Sequence, residues 1–256
     1  MADVTRTIAI ANQKGGVAKT TTVASLGSAL AEQGRKVLLV DLDAQSCLTF
    51  SLGLDPEAVE LSIHDVLLGR VGAAMAIQAT EDGVDLLPAT IELAGTEAQL
   101  LSRPGREYVL RSALAEVSAA YDVVLLDCSP SLGVLTLNAL TAADELIIPL
   151  QCEMLSHRGV GQLLDTVQDV QRILNPGLQV LGVLPTMFDG RTNHARAVLA
   201  DVSGRYGLEV LEPAIPKSVR FAEAPAAGRS VLATARSTRG AAAYRALAEG
   251  LFGIPA

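Results

Sequence analysis

Asn12-Gln13-Lys14-Gly15-Gly16-Val17-Ala18-Lys19-Thr20-Thr21 follows an apolar run at residues 8–11 and precedes a helical pattern through Ala24, Leu26, Leu30 and Ala31. A strand, a glycine turn and a helix in that order make a concave backbone site for polyphosphate. Glycines let successive N–H groups point inward, and a helix N-terminus favours anions. In that geometry Lys19 would reach the β- and γ-phosphates of a nucleotide and the Thr20 hydroxyl would ligate Mg²⁺. Gly15, Gly16, Val17, Ala18 and Thr21 would complete the cradle. The usual spacing G-x-x-x-x-G-K-[ST] is not met, because Gln13 and Ala18 occupy its two glycine positions. A second lysine, Lys14, gives the form K-G-G-x-x-K-[ST] instead. The plainer alternative is a Gly/Lys-rich turn with no ligand; the strand and helix on either side argue against it.

Outward from the loop, short apolar runs recur at 37–40, 84–87, 123–126, 146–150 and 180–184, each reading as a strand buried on both faces. Amphipathic segments separate them. The clearest places Val160, Leu163, Leu164, Val167, Val170, Ile173 and Leu174 on one helical face and stops at Asn175-Pro176-Gly177. A final helix is expected over 237–252, with Tyr244, Leu247, Leu251 and Phe252 as its apolar side. Alternation of this kind predicts an α/β fold, a mostly parallel twisted sheet with helices on both faces and ligands at the carboxyl ends of its strands. With no Ser/Pro linker, repeat or low-complexity tract, a single domain over 1–256 is expected.

Composition sets the outer bounds. The 256 residues carry 20 Lys+Arg against 28 Asp+Glu, a formal charge of −8, which by itself disfavours a nucleic-acid binder. Hydrophobic residues make up 50% and aromatic residues 3%, with no Trp, so the core is aliphatic and base stacking is poorly supplied. Disorder is excluded by the same apolar content. Cys47, Cys128 and Cys152 are unpaired in spacing and fit reduced thiols in the cytoplasm. The start shows no export leader, and no apolar stretch reaches the roughly 18 residues of a membrane span.

Two acidic strand ends accompany the loop. The run at 37–40 leads into Asp41-Leu42-Asp43-Ala44-Gln45, and the run at 123–126 into Asp127-Cys128-Ser129-Pro130-Ser131. An acidic strand end on its own equally suits a helix N-cap. Loop and acids together resemble the deviant-Walker ATPases, the ParA/MinD group of P-loop proteins. The resemblance implies ATP and Mg²⁺ as cofactors. It implies that Lys14 reaches the nucleotide of a partner subunit, so that ATP joins two copies face to face. It further implies that Asp43 orients the attacking water and that Asp127 holds Mg²⁺, with Thr20, through its waters. Catalysis would then rest on Lys14, Lys19 and Asp43, with slow hydrolysis until a partner completes the site. Ala18 stands where this group commonly has glycine.

Within the group, Leu86-Leu87-Pro88-Ala89-Thr90, Pro130-Ser131-Leu132-Gly133 and Ile215-Pro216-Lys217-Ser218-Val219-Arg220 resemble the chromosome- and plasmid-partitioning ParA/Soj branch, in its short form. The resemblance implies that Pro216 and Ser218 border the adenine. It implies that the ATP-made homodimer binds double-stranded DNA without sequence preference through Arg191 and Arg220; Lys217, Arg229, Arg236 and Arg239 would extend the patch. Residues 186–245 carry nine Lys or Arg against five Asp or Glu, while the remainder carries eleven against twenty-three. The implied location is the nucleoid in the cytoplasm, and the implied partner a ParB-like or other cargo adaptor. Met154-Leu155-Ser156-His157-Arg158-Gly159 departs from the Soj pattern, which keeps open an orphan ParA with another cargo.

Three other readings compete. A MinD-like membrane ATPase would need a basic amphipathic C-terminal helix, and the last helix offers Arg245 against Glu249. An iron-sulfur reductase of the nitrogenase iron-protein type would need two placed cysteines from each subunit. A metabolic P-loop ligase or kinase would need a second-substrate constellation, which the residues outside the loop do not supply. His64, His157 and His194 are isolated and read as structural or solvated.

Overall fold

The computed structural model describes residues 5–152 and 156–253, with the backbone alone at 156–158. Seven strands form one sheet: β1 (Arg6–Ile10), β2 (Val37–Leu42), β3 (Gln78–Ala79), β4 (Asp85–Leu87), β5 (Val123–Cys128), β6 (Glu145–Gln151) and β7 (Gln179–Thr186). Their order is β3-β4-β2-β5-β1-β6-β7, parallel throughout except for the antiparallel pair β3–β4. The apolar runs mark six of the seven; β3 has two residues, Gln78 half-buried and Ala79 exposed, too short and too polar to signal itself.

Helices α1 (Lys19–Glu32), α2 (Cys47–Ser51), α3 (Ile63–Leu67), α4 (Ala73–Ala76), α5 (Leu93–Leu100), α6 (Val109–Ala115), α7 (Val134–Ala142), α8 (Ser156–Ile173), α9 (Asn193–Tyr206), α10 (Arg220–Glu223), α11 (Val231–Thr234) and α12 (Arg239–Phe252) fill the intervals. Side chains alternate across the strands. Leu38, Val40, Val124, Leu126, Leu146 and Ile148 join one core with residues of α3, α5, α6, α7 and α8. Ile8, Ile10, Leu39, Val123, Leu125 and Ile147 join the other with α1, α11 and α12. Each such side chain contributes roughly 1.5–3 kcal/mol of transfer free energy, so both faces hold the sheet. Helix α1 lies close on its face because Gly27 has no side chain; a Cβ there would stand 2.7 Å from a Leu39 methyl.

Helix α12 covers the outer side of α1. Tyr244 is completely buried, meets Phe221 edge-on with centroids 5.9 Å apart, and hydrogen-bonds the Thr22 hydroxyl at 3.0 Å. Its apolar side is therefore core, which removes the amphipathic face that a membrane-lying helix would present. Among the described residues no helix is long and apolar enough to cross a membrane.

The stripe expected on α8 needs one correction. Val160, Leu163, Val167 and Val170 are buried, but Ile173 is 65% exposed. It sits about 100° round the helix from Leu174, which packs against the core. The stop is physical: Asn175 donates from Nδ2 to Leu140 O at 3.0 Å and Ala143 O at 2.7 Å, tying the helix end to α7. The departures at Met154 to Arg158 lie outside the described side chains.

Candidate functional site

Strands β1, β5 and β2 are neighbours, so the loop after β1 and both acidic strand ends arrive at one edge. Ile10 pairs with Asp127, and Asp127 with Asp41 across the β2–β5 ladder. Neither acid caps a helix: Ser46 precedes α2 and Gly133 precedes α7. The loop is shaped by left-handed backbone at Gly16 (φ 73°) and at Ala18 (φ 68°, ψ 33°), the residue that enters α1. Gly15 and Gly16 are exposed, and a side-chain carbon at either would meet nothing within 4 Å. The cradle is open.

Three side chains hold it from beneath. Asn12 is buried, donates to Pro149 O at 2.8 Å and accepts from the Lys14 N–H at 3.0 Å. Thr186, at the end of β7, donates to Val17 O at 3.0 Å. Lys19 is buried and its Nζ donates to Lys14 O at 3.1 Å. Burial lowers the Lys19 pKa, against the opposing pull of Asp127 and Asp43 nearby. An ammonium so placed lacks a full counter-ion, and phosphate oxygens would supply one.

The carboxylates are arranged unequally. Asp41 is completely buried and accepts from the Asp43 N–H at 3.1 Å, the Thr49 N–H at 2.9 Å and the Thr49 hydroxyl at 2.7 Å. Burial pushes its pKa up to about 6 in spite of those bonds. Asp127 is equally buried, and neither of its oxygens has a hydrogen-bond donor. Burial raises it well above the usual carboxylate range, and the charge of Asp41 adds to that. The Thr20 hydroxyl is near enough to oppose the rise without making a well-directed bond, and Lys19 opposes it too. An unpartnered buried carboxylate beside a hydroxyl and a buried ammonium is costly. Its oxygen-only chemistry fits a hard divalent cation such as Mg²⁺. Among the described residues no group of three or more His, Cys, Asp or Glu could hold a metal unaided, so such a cation would share its ligands with phosphate and water.

Half-buried Asp43 accepts the Gln45 N–H at 3.0 Å, which fixes its carboxylate at the lip of the loop. Cys128, next to Asp127, is buried and its thiol pKa is raised by burial, which suits a packed residue rather than a cluster ligand. His64 is buried against the Thr96 hydroxyl at 2.7 Å and Arg70 at 2.9 Å, a structural role.

The AAA domain family matches residues 5–180 of the chain. The sporulation initiation inhibitor protein Soj of Bacillus subtilis is 45% identical over 243 residues, covering 94% of this chain and 96% of Soj. The chromosome partitioning protein ParA of Caulobacter vibrioides is 44% identical over 246 residues, covering 95% and 92%. The chain belongs to the ParA/Soj family of P-loop ATPases. A solved structure, cobyrinic acid a,c-diamide synthase from Mycobacterium smegmatis with a bound ATP analogue and magnesium, superposes with a TM-score of 0.88. It is 58% identical and covers 97% of this chain and 94% of its own.

The remaining positions drawn from the ParA/Soj pattern lie on residues 186–230. Ile215 O accepts the Phe188 N–H at 2.9 Å, and Pro216 bridges to Phe188, which fixes the start of the segment holding half-buried Pro216 and Ser218. Arg191 is 90% exposed and paired with Asp189 at 2.8 Å; Arg220 is exposed and paired with Glu223 at 2.6 Å; Lys217 is exposed. Arg229 is half-buried. Its guanidinium is engaged by Asp82, by the Glu81 carboxylate at 3.0 Å and by Glu81 O at 3.0 Å. Sequence reasoning did not assign Asn12, Thr49 or Thr186 to the site, and gave Asp41 no role of its own. For Asp41 the signal was the D-x-D spacing itself.

Proposed function

We propose that the chain is a single-domain, Mg²⁺-dependent ATPase that acts as a nucleotide switch. ATP joins two copies through Lys14. The dimer holds double-stranded DNA without sequence preference through Arg191, Lys217 and Arg220, and hydrolysis at Asp43 releases it. The observation that carries this reading is the Asp127 carboxylate, buried without a donor beside Thr20 and Lys19 under the open Gly15–Gly16 turn.

Thr20 and Asp127 would hold the cation, which when bound neutralises charge on the phosphate oxygens. Lys19 would leave Lys14 O and donate to those oxygens, and the N–H groups of residues 15–21 would line the rest. Pro216 and Ser218 would flank the base. Asp43, with one oxygen engaged by Gln45, would accept a hydrogen bond from the attacking water and orient it. Because Gly15 and Gly16 face open space, hydrolysis should stay slow until a second copy and a cargo adaptor of ParB-like or other type complete the site.

On the DNA side, the pairs Arg191–Asp189 and Arg220–Glu223 are exposed. Such pairs are worth little in water, so phosphates can replace the carboxylates. Two copies side by side would double the patch on an otherwise acidic protein, which places it on the nucleoid only in the ATP state. The test is DNA retention with ATP, with ADP and without nucleotide across a salt series. ATP-specific retention that falls steeply with salt is expected; equal retention in all three states overturns the switch.

The likeness to the M. smegmatis synthase favours a second reading, ATP-driven amidation of a polycarboxylic acid. That chemistry needs room for a large acid beside the phosphates. ATP turnover that requires a corrinoid carboxylic acid and an ammonia source, and ignores DNA, would establish this reading instead.

A further inference from the structure

Residues 216–230 form a strap that carries Lys217 and Arg220 and is anchored at both ends. Its start is the bridge at Phe188 and Pro216. Its end is held by Asp82, in the turn between β3 and β4. The Asp82 side chain is 2% exposed and accepts from the Ser230 N–H at 2.7 Å, from the Ser28 hydroxyl at 3.2 Å and from Arg229 Nε. Ser28 belongs to α1, the helix that begins at the phosphate loop. One carboxylate therefore joins the strap, the β3–β4 turn and the phosphate-loop helix.

Between its anchors the strap touches the other side of the nucleotide site. Gly53 (φ 87°) and Gly228 (φ 64°) meet backbone to backbone: a Cβ on Gly53 would lie 3.0 Å from Gly228 O, and one on Gly228 would lie 2.9 Å from Gly53 Cα. Gly53 closes the short stretch that starts at Asp43. Asp43 O accepts the Ser46 N–H at 2.8 Å, Thr49 in α2 is bonded to Asp41, and the Gly53 N–H donates to Phe50 O at 3.1 Å. No side chain separates Gly53 from Gly228, so a shift of this stretch would reach Gly228 as a backbone displacement.

We infer that Asp82 is a positioning residue which, with the Gly53–Gly228 contact, couples the nucleotide state at Asp43 to the position of Arg220. The inference rests on the switch proposed above. Asp82 fixes the far end of the strap, so that displacement at Gly228 bends the part bearing Arg220 and Lys217 instead of sliding the whole segment. Arg229 is the tether that joins the strap to Asp82.

The test compares the ratio of DNA affinity with ATP to that with ADP in the full-length protein. Asp82→Asn keeps the shape but turns an amide N–H₂ or a weaker acceptor toward Arg229. Gly53→Ala places a methyl against Gly228 O on backbone that disfavours it. Both should leave basal turnover within about twofold and ATP-driven dimerisation intact, while the affinity ratio falls at least tenfold, about 1.4 kcal/mol of coupling. Equal weakening in both nucleotide states would mean a static brace and overturns the inference, as does an unchanged ratio. A wild-type protein with no ATP preference for DNA would instead refute the proposed function. Should both variants fail to fold, hydrogen exchange on the unaltered chain decides. Residues 48–54 and 220–230 should change protection together between the ADP and ATP states, and a change confined to 48–54 removes the coupling.

Discussion

Ala18 and Gly16 share one loop and one backbone conformation, and exchanging their chemistry should move stability in opposite directions. Ala18 holds φ 68°, ψ 33°, and Gly16 holds φ 73°. An L-residue in this region costs roughly 1–2 kcal/mol from Cβ crowding against its own backbone. Glycine removes that cost but returns about 0.4–1 kcal/mol of conformational freedom to the unfolded chain. The difference leaves Ala18→Gly about 0.5–1 kcal/mol more stable and Gly16→Ala less stable by a similar amount. The second substitution isolates the backbone effect, because its new methyl would touch nothing within 4 Å. Urea unfolding of the nucleotide-free protein measures both, and melting should shift by about 1–4 °C in each direction. Shifts of the same sign, or a loss on Ala18→Gly, would show that the loop does not hold this conformation. Nucleotide then adds a second arm: if ATP requires the left-handed turn, its stabilisation should be larger for Ala18→Gly than for Gly16→Ala.

Asp127→Asn should make the nucleotide-free protein melt higher, since it removes a buried, unpartnered carboxyl group beside Asp41, and should abolish the extra stabilisation that Mg²⁺ gives to bound ATP; calorimetry with and without the cation reads both. The Asp41 carboxyl has a folded pKa of about 6 against an ordinary 3.8, so the fold binds its proton more tightly than the unfolded chain does. That contribution is complete below the ordinary value and is lost as pH rises through about 6, worth about 1 kcal/mol between pH 5 and 7. The nucleotide-free wild type should therefore gain more on acidification than Asp41→Asn, and identical pH profiles would remove the effect. Asp43→Ala should keep ATP-dependent dimers in light scattering while turnover disappears; wild-type turnover would take Asp43 out of its role. Arg220→Glu should weaken DNA retention and leave dimerisation unchanged, and loss of both would indicate a folding defect.

What the sequence discloses here follows from how local each feature is. Strands β1, β2 and β5 lie in the middle of the sheet, so their runs are apolar on both faces and stand out. The glycines, Lys19 and Thr20 occupy one continuous loop, where spacing predicts chemistry, while the roles of Lys14 and Asp127 come from the family resemblance. Arg229 shows the opposite case. Its partners Glu81 and Asp82 lie 148 and 147 positions away, and nothing in its own neighbourhood distinguishes a tethered arginine from a DNA contact. Asp41 is intermediate. Its spacing from Asp43 is visible, but the Thr49 clamp that makes it structural appears only when α2 folds back over β2. Ile173 is a simpler case: it is the last residue of α8, where the chain turns at Asn175, and it faces outward while Leu174 packs on the core.

The packing of α12 against α1 also bears on how the chain is made. Thr22, in the helix that starts at the phosphate loop, is synthesised 222 residues ahead of the Tyr244 that closes over it. Arg6 in β1 likewise waits for Leu251, whose carbonyl it bonds at 2.7 Å. A nascent chain can lay β1 beside β5 long before the back of its loop helix is covered. The outer side of the loop helix is therefore covered only after α12 has been made, so its firm seating follows the pairing of the central strands and does not precede it.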